Sequence, residues 1–227
     1  MSALSPEQLH TLAGIDSPTI ANAIEAFKVR DPTAGYASMD LRCQFPHLAS
    51  MVGYALTVTA DSTSPLPKAQ TKEIELFRAV EAAPKPVIVV IKDVGPDRAR
   101  SCHAGDNLAS IFQRLGAVGM ITDGGVRDID GIGQRAPGFQ VFTPGLVVSH
   151  GVPTFLEIGP IVSVCGLTIR PGDLLHGDRN GLLVVPIDWV DRVTAQAQAI
   201  LEKEQRLIEY IKGASFSLDG LIDLMYH

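Results

Sequence analysis

Residues 105–128 read Gly-Asp-Asn-Leu-Ala-Ser-Ile-Phe-Gln-Arg-Leu-Gly-Ala-Val-Gly-Met-Ile-Thr-Asp-Gly-Gly-Val-Arg-Asp, and this stretch decides the fold. Gly105-Asp106-Asn107 opens a helix whose apolar residues, Leu108, Ile111, Phe112 and Leu115, recur at helical spacing. Gly116 ends it, because glycine takes the left-handed conformation of a helix terminus without a steric penalty. Residues 117–121 are then a strand-length apolar run that leads straight into Asp123-Gly124-Gly125-Val126-Arg127-Asp128. Strand and helix alternating in this way predict an α/β fold.

Working outward, residues 86–91 (Pro-Val-Ile-Val-Val-Ile) form a β-branched run typical of a buried strand, and residues 52–60 alternate as a strand does. Residues 30–50 are irregular, 61–67 form a loop, and 69–82 a helix. Near the start, Ser5-Pro6-Glu7-Gln8 combines a hydroxyl cap, a first-turn proline and Gln three residues on, and Ser17-Pro18 repeats the signal. Beyond Pro137, short strands are expected near 139–142, 145–149, 161–164 and 182–186. Asp178-Arg179-Asn180-Gly181 is expected as a type I′ hairpin turn. Asp188 begins a long helix to about Lys212, and a short helix near 217–225 closes the chain. The 227 residues are read as one domain with helical arms, about 1–30 and 188–227. Terminal arms on an α/β body commonly pack on a neighbouring subunit, so a homo-oligomer is expected.

Hydrophobic residues make up 46% and charged residues 19%, ample for a core. A formal net charge of −6 argues against general nucleic-acid binding. Cys43, Cys102 and Cys165 are widely spaced and suggest neither a zinc site nor a disulfide framework. No basic segment followed by an apolar run opens the chain, and no apolar run approaches the roughly 18 residues of a membrane span. A cytoplasmic protein with reduced thiols and no membrane partner is expected.

Two elements carry chemistry. The first N–H groups of a helix lack internal partners and sit at the positive end of its dipole, so the start at Gly105 suits a small carboxylate or phosphate. The bland alternative is an ordinary helix cap. Asp123-Gly124-Gly125-Val126-Arg127-Asp128 lies past the carboxyl end of a strand, where α/β sheets bind ligands. Its tight turn presents a guanidinium fork that fits a 2-oxo acid and a hard carboxylate that fits Mg²⁺ or Mn²⁺. The alternative there is a solvated surface turn.

Gly105-Asp106, twenty intervening residues and Arg127-Asp128 together resemble the signature of the class II pyruvate aldolases typified by 4-hydroxy-4-methyl-2-oxoglutarate aldolase. That superfamily includes the regulator of ribonuclease E activity, and many members were once labelled demethylmenaquinone methyltransferases. Supporting resemblance extends to Ser17-Pro18-Thr19, residues 52–60, and Pro171-Gly172-Asp173-Leu174 through Pro186. It implies a compact, swivelling β/β/α-type α/β domain with central mixed sheets, assembled as a trimer or a dimer of trimers with the site near the subunit interface. It implies that Arg127 binds the 2-oxo acid and stabilises the enolate oxygen, and that Asp128 ligates the divalent metal. Asp106 then holds a metal-bound water or takes part in proton transfer. Gly105 and the backbone N–H groups around Asn107 and Leu108 receive the substrate carboxylate. The family often has Glu at position 106 and draws further acidic residues from a neighbouring subunit. Glu202 and Glu204 are candidates, though the simpler reading puts them on the wet face of an amphipathic helix.

The activity implied is retro-aldol cleavage or decarboxylation of a 4-hydroxy- or 4-carboxy-2-oxo acid to pyruvate. A Schiff base on Lys92 is the rival chemistry, although a lysine beside Asp93 reads more simply as an ion pair. His103, His150 and His176 follow no ligand spacing; His103 is read as structural or solvated, with a part in shaping the site as its alternative. The rival function is a non-catalytic protein-binding regulator like that of ribonuclease E, which has no chemical need for the Arg-Asp pair. A methyltransferase fits poorly, because the glycine-rich turn comes too late in the chain.

Overall fold

In the computed structural model, which describes residues 3–66 and 70–226, the β-branched run is strand β3 (Val87–Asp93) at the centre of a mixed sheet. Strands β1 (Arg42–Cys43), β2 (Met51–Asp61), β5 (Ala117–Thr122) and β7 (Gln140–Thr143) join it, with β11 (Leu174–Asp178) and β12 (Gly181–Val185), in the order β1-β7-β5-β3-β2-β11-β12. Strands β2, β3, β5 and β7 run parallel. The long strand β2 pairs antiparallel with β11 through residues 51–54, and with β8 (Thr154–Ile158) through residues 58–61.

Alternation along β3 divides the core. Val87, Val89 and Ile91 face a layer that holds α3 (Glu73–Ala82), α4 (Asp106–Arg114) and α5 (Ile129–Arg135), where Leu76, Phe112 and Ile132 are fully buried. Ile88 and Val90 face the hairpin of β9 (Val162–Val164) and β10 (Leu167–Ile169). A sheet covered on both faces is what parallel strands require. Helices α1 (Pro6–Ala13), α2 (Ser17–Ala26) and the first turns of α6 (Val190–Lys212) close the β2–β11–β12 end through Leu12, Ile20, Val190 and Val193. No residue of α6 after Ala197 is buried, and α7 (Leu218–Tyr226) packs on that exposed half. The result is one mixed α/β domain with a nearly closed sheet, of the β/β/α kind expected.

Several expectations hold locally. Ser5 and Gln8 form the reciprocal capping box. The second helix is capped by Asp16 instead of Ser17; its carboxylate accepts from the Thr19 N–H at 2.9 Å and leaves Ser17 inside the first turn. Helix α3 starts at Glu73 instead of residue 69, which lies outside the described residues, because the Lys72 N–H is taken by the Phe155 carbonyl at 2.8 Å. The long helix is preceded by a 3-10 turn, Ile187–Trp189. The strand expected at 145–149 reduces to one bridge, Leu146 to Val126; Pro144-Gly145 turns the chain outward and Val148 is 97% exposed. Strands β8, β10 and β11 were not anticipated. Asp178 to Gly181 does form a two-residue hairpin turn, but neither Arg179 nor Asn180 has positive φ, so it is not type I′. Gly181, at φ +138°, absorbs the twist.

Candidate active site

Beyond the carboxyl ends of β3 and β5 the chain builds a second, miniature sheet. Strand β4 (Cys102–Ala104) lies parallel to β6 (Gly125–Val126), with Cys102 opposite Gly125 and Ala104 opposite Val126. Gly105-Asp106 follows β4 and Arg127-Asp128 follows β6, so the pairing sets the two motifs side by side. The Arg127 N–H donates to the Ala104 carbonyl at 3.1 Å and locks the register. Gly125 has to be glycine, because a methyl group there would lie 2.6 Å from the Ser101 carbonyl oxygen. The return of α4 through β5 brings the chain back, and the β4–β6 pair fixes the alignment.

All six residues named from the sequence, Gly105, Asp106, Asn107, Leu108, Arg127 and Asp128, line one cleft of about 170 Å³. Arg127 Nε lies 3.1 Å from Asp128 Oδ2, with both side chains about two-fifths exposed. Asp128 sits in the left-handed region at φ 56°, ψ 39°, a conformation that costs a non-glycine residue on the order of 1–3 kcal/mol and concentrates at functional sites. Held there, it starts α5 without spending its carboxylate as a cap. Gly105 lies beneath the pair: a methyl at its Cα would stand 2.7 Å from Asp128 Oδ2 and 3.3 Å from Arg127 Cγ. Its role is therefore close approach by these two side chains as much as approach by a ligand.

Asp106 is less free than expected. One carboxylate oxygen accepts from the Asn107 N–H at 2.8 Å and the other is bound by the Arg135 guanidinium, from the last turn of α5. The Asn107 N–H is thereby occupied, which leaves Leu108 as the better-placed backbone donor. Arg135 had no signal in the sequence, because its partner lies 29 residues away.

Lys92 does not pair with Asp93. Its Nζ lies 2.5 Å from Asp123 Oδ2, Asp123 Oδ1 accepts from the Asp93 N–H at 2.8 Å, and Lys92 does not line the cleft. So placed, Lys92 does not face a substrate held in the cleft, which counts against the Schiff-base route. His103 is not solvated: its ring is fully buried with Nε2 2.6 Å from Asp93 Oδ2, Nδ1 has no partner among the described residues, and the residue lines the cleft, in line with the alternative that it helps shape the site. Cys102 also borders the cleft, but burial pushes its thiol above the ordinary range, so it is no thiolate at neutral pH. The three cysteines are free, as expected. Glu73, His150, Pro153 and Phe155 complete the rim; of these, only His150 was considered from the sequence, as a histidine that follows no ligand spacing.

Asp128 offers one accessible carboxylate, and among the described residues no group of three His, Cys, Asp or Glu could hold a metal ion. Such a donor set suits a hard cation that keeps most of its waters, as Mg²⁺ and Mn²⁺ do. It does not suit zinc, which takes three or four protein ligands. No helix among the described residues is long and apolar enough to cross a membrane.

A family model described as RraA-like, Aldolase/RraA, matches residues 18–184. A Halalkalibacterium halodurans protein named "Putative 4-hydroxy-4-methyl-2-oxoglutarate aldolase" is 35% identical over 148 residues, 65% of this chain and 68% of that protein. An uncharacterized Methanocaldococcus jannaschii protein, MJ0644, is 34% identical over 125 residues, 54% of this chain. The chain spans 59% of that relative's length. Among solved structures, an uncharacterized Pseudomonas syringae protein superposes with a TM-score of 0.75 at 21% identity, covering 99% of this chain and 96% of its own. Streptomyces coelicolor RraAS2, described as an unusual member of the RNase ES inhibitor RraA family, gives 0.68 at 21% identity, covering 90% and 97%. At these identities the structural likeness is one of fold.

Proposed function

Because the chain belongs to the RraA-like family, Aldolase/RraA, we propose that its cleft is the active site of a metal-dependent lyase releasing pyruvate from a 4-hydroxy- or 4-carboxy-2-oxo acid. The observation that carries this reading is the Arg127–Asp128 pair, 3.1 Å apart, set over Gly105 at the N-terminus of α4. Cleavage leaves negative charge on the C2 oxygen of a pyruvate enolate. The Arg127 guanidinium offers positive charge where that charge develops, and the start of α4, through Leu108 N–H, offers a seat for the substrate carboxylate. Asp128 is the residue that would hold Mg²⁺ or Mn²⁺, and the cation when bound supplies Lewis-acid polarisation of the 2-oxo group. Asp106, tied to Arg135, orders water beside that position. The single carboxylate leaves room for acidic residues from a second copy of the chain, so a cytoplasmic homo-oligomer, a trimer or a dimer of trimers, belongs to the same proposal.

The non-catalytic alternative draws on the fold shared with RNase-inhibiting relatives, but it gives Arg127 and Asp128 no work. The test is pyruvate release from oxaloacetate and from 4-hydroxy-4-methyl-2-oxoglutarate, with Mg²⁺ and with EDTA, for wild type and Arg127→Ala. Turnover that needs the metal and falls about a hundred- to thousandfold in the variant supports the proposal. Activity that survives both EDTA and loss of Arg127 overturns it.

A further inference from the structure

Among the cleft side chains that this reading leaves idle is one imidazole open to solvent. His150, in the loop between β7 and β8, lines the same cleft as Arg127, Asp128 and Asp106 and is exposed. Its Nδ1 lies 2.7 Å from the Gly151 carbonyl oxygen. A carbonyl can only accept, so Nδ1 carries a proton and donates, and in the neutral tautomer that keeps this bond Nε2 is the acceptor. The loop behind it is anchored. The Val152 N–H donates to the Ser62 carbonyl at 3.0 Å, and Gly151, at φ +56°, passes so close that a methyl group there would stand 2.2 Å from that oxygen.

Resting on the lyase reading above, we propose that His150 is the general base of the aldol reaction, removing the C4 hydroxyl proton of the substrate. Nε2 takes that proton, the hydroxyl oxygen becomes a carbonyl, and the C3–C4 bond breaks. The bonding pair passes to C3 and is delocalised onto the C2 oxygen beside Arg127. Solvent water supplies a proton to C3, as it must after decarboxylation too, and the imidazolium gives its own proton back to solvent, leaving pyruvate and the carbonyl fragment with no change in net protons or electrons.

The other titratable groups of the cleft are engaged or ill-suited. Asp106 is held by Asn107 and Arg135, Asp128 by Arg127, and His103 by Asp93 with its ring sealed from solvent. Burial keeps the Cys102 thiol protonated. Glu73 is a carboxylate in the first turn of α3, where the unpaired N–H groups and the helix dipole hold it in its charged form. Imidazole is the side chain most often used for such a proton transfer.

Decarboxylation of oxaloacetate has no hydroxyl to deprotonate, so it needs the enolate machinery but not His150. The experiment compares kcat of wild type and His150→Gln on 4-hydroxy-4-methyl-2-oxoglutarate and on oxaloacetate. The expected result is a loss of at least about a hundredfold on the aldol substrate and a change within about threefold on oxaloacetate. Retained decarboxylation also shows that the variant is folded. Equal losses on both substrates, or none on either, overturn the role of His150 and leave the lyase reading standing. Wild type that decarboxylates but cleaves no aldol does the same, and wild type that turns over neither compound sinks both.

Discussion

At the scale of single residues, the cleft depends on what each side chain is free to do. Arg127 has a planar fork that lysine cannot reproduce. Arg127→Lys is therefore expected to lose about a hundredfold or more in kcat despite keeping the charge, as pyruvate release would show. A loss under tenfold would mean that charge alone suffices. Gly105→Ala puts a methyl 2.7 Å from Asp128 Oδ2. Since the crowded atom ends a partly exposed side chain, the variant is expected to fold with a melting temperature within a few degrees of wild type and to lose activity. A variant as active as wild type would show that the carboxylate position is not critical. The Gly-Asp and Arg-Asp pairs were legible because their residue types carry their chemistry. Arg135 and His150 were not, since an arginine in a helix or a histidine in a loop has no meaning until its neighbours are known.

At the scale of elements, one buried contact ties the first helices to the sheet. His176, on β11, is fully buried; its Nδ1 lies 3.0 Å from Ser17 Oγ, and its Nε2 lies 3.1 Å from the Leu12 and 3.0 Å from the Ile15 carbonyl oxygens. Those carbonyls require Nε2 to donate, so the Ser17 hydroxyl donates to Nδ1 and the ring is neutral. Burial lowers the His176 pKa below the ordinary 6.5, against smaller opposing effects led by the Leu12 carbonyl and Asp178. A histidine whose folded pKa is depressed binds its proton more readily when the chain is unfolded. Stability is therefore expected to fall as pH drops below about 6.5. Thermal melts from pH 7.5 to 5 would show the decline, and His176→Gln should flatten it while lowering stability throughout. An unchanged slope in that variant would assign the decline to other groups. Strand β11 escaped a reading by periodicity because His176, Gly177 and Asp178 interrupt the apolar run, and only their hydrogen-bond partners let them be buried.

At the scale of the molecule, the C-terminal half of α6 and α7 leaves an apolar surface uncovered. Leu201, Ile208, Ile211, Phe216, Leu218 and Ile222 are each more than a third exposed. Apolar residues in such a run mark an interaction site, and in the homo-oligomer proposed above a second copy of the chain would cover it. Removal of residues 214–227 is expected to lower the oligomeric mass measured by light scattering; an unchanged number of protomers would place the subunit contact elsewhere.

What the sequence determined by itself was the α/β class, a buried strand read at 86–91, a helix opening at Gly105-Asp106-Asn107 and six of the residues that line the cleft. The elements follow from local periodicity, and the site residues from residue types at the motif spacing that carries the family resemblance. The tertiary structure decided how they meet. A two-residue strand, Gly125–Val126, pairs with Cys102–Ala104 across more than twenty residues of chain, and that register lays Arg127 and Asp128 over Gly105. It decided too that Lys92 belongs to Asp123 and Asp106 to Arg135. Contacts between residues distant in the chain depend on the closure of the whole sheet, and no local pattern encodes which charge will stand opposite which.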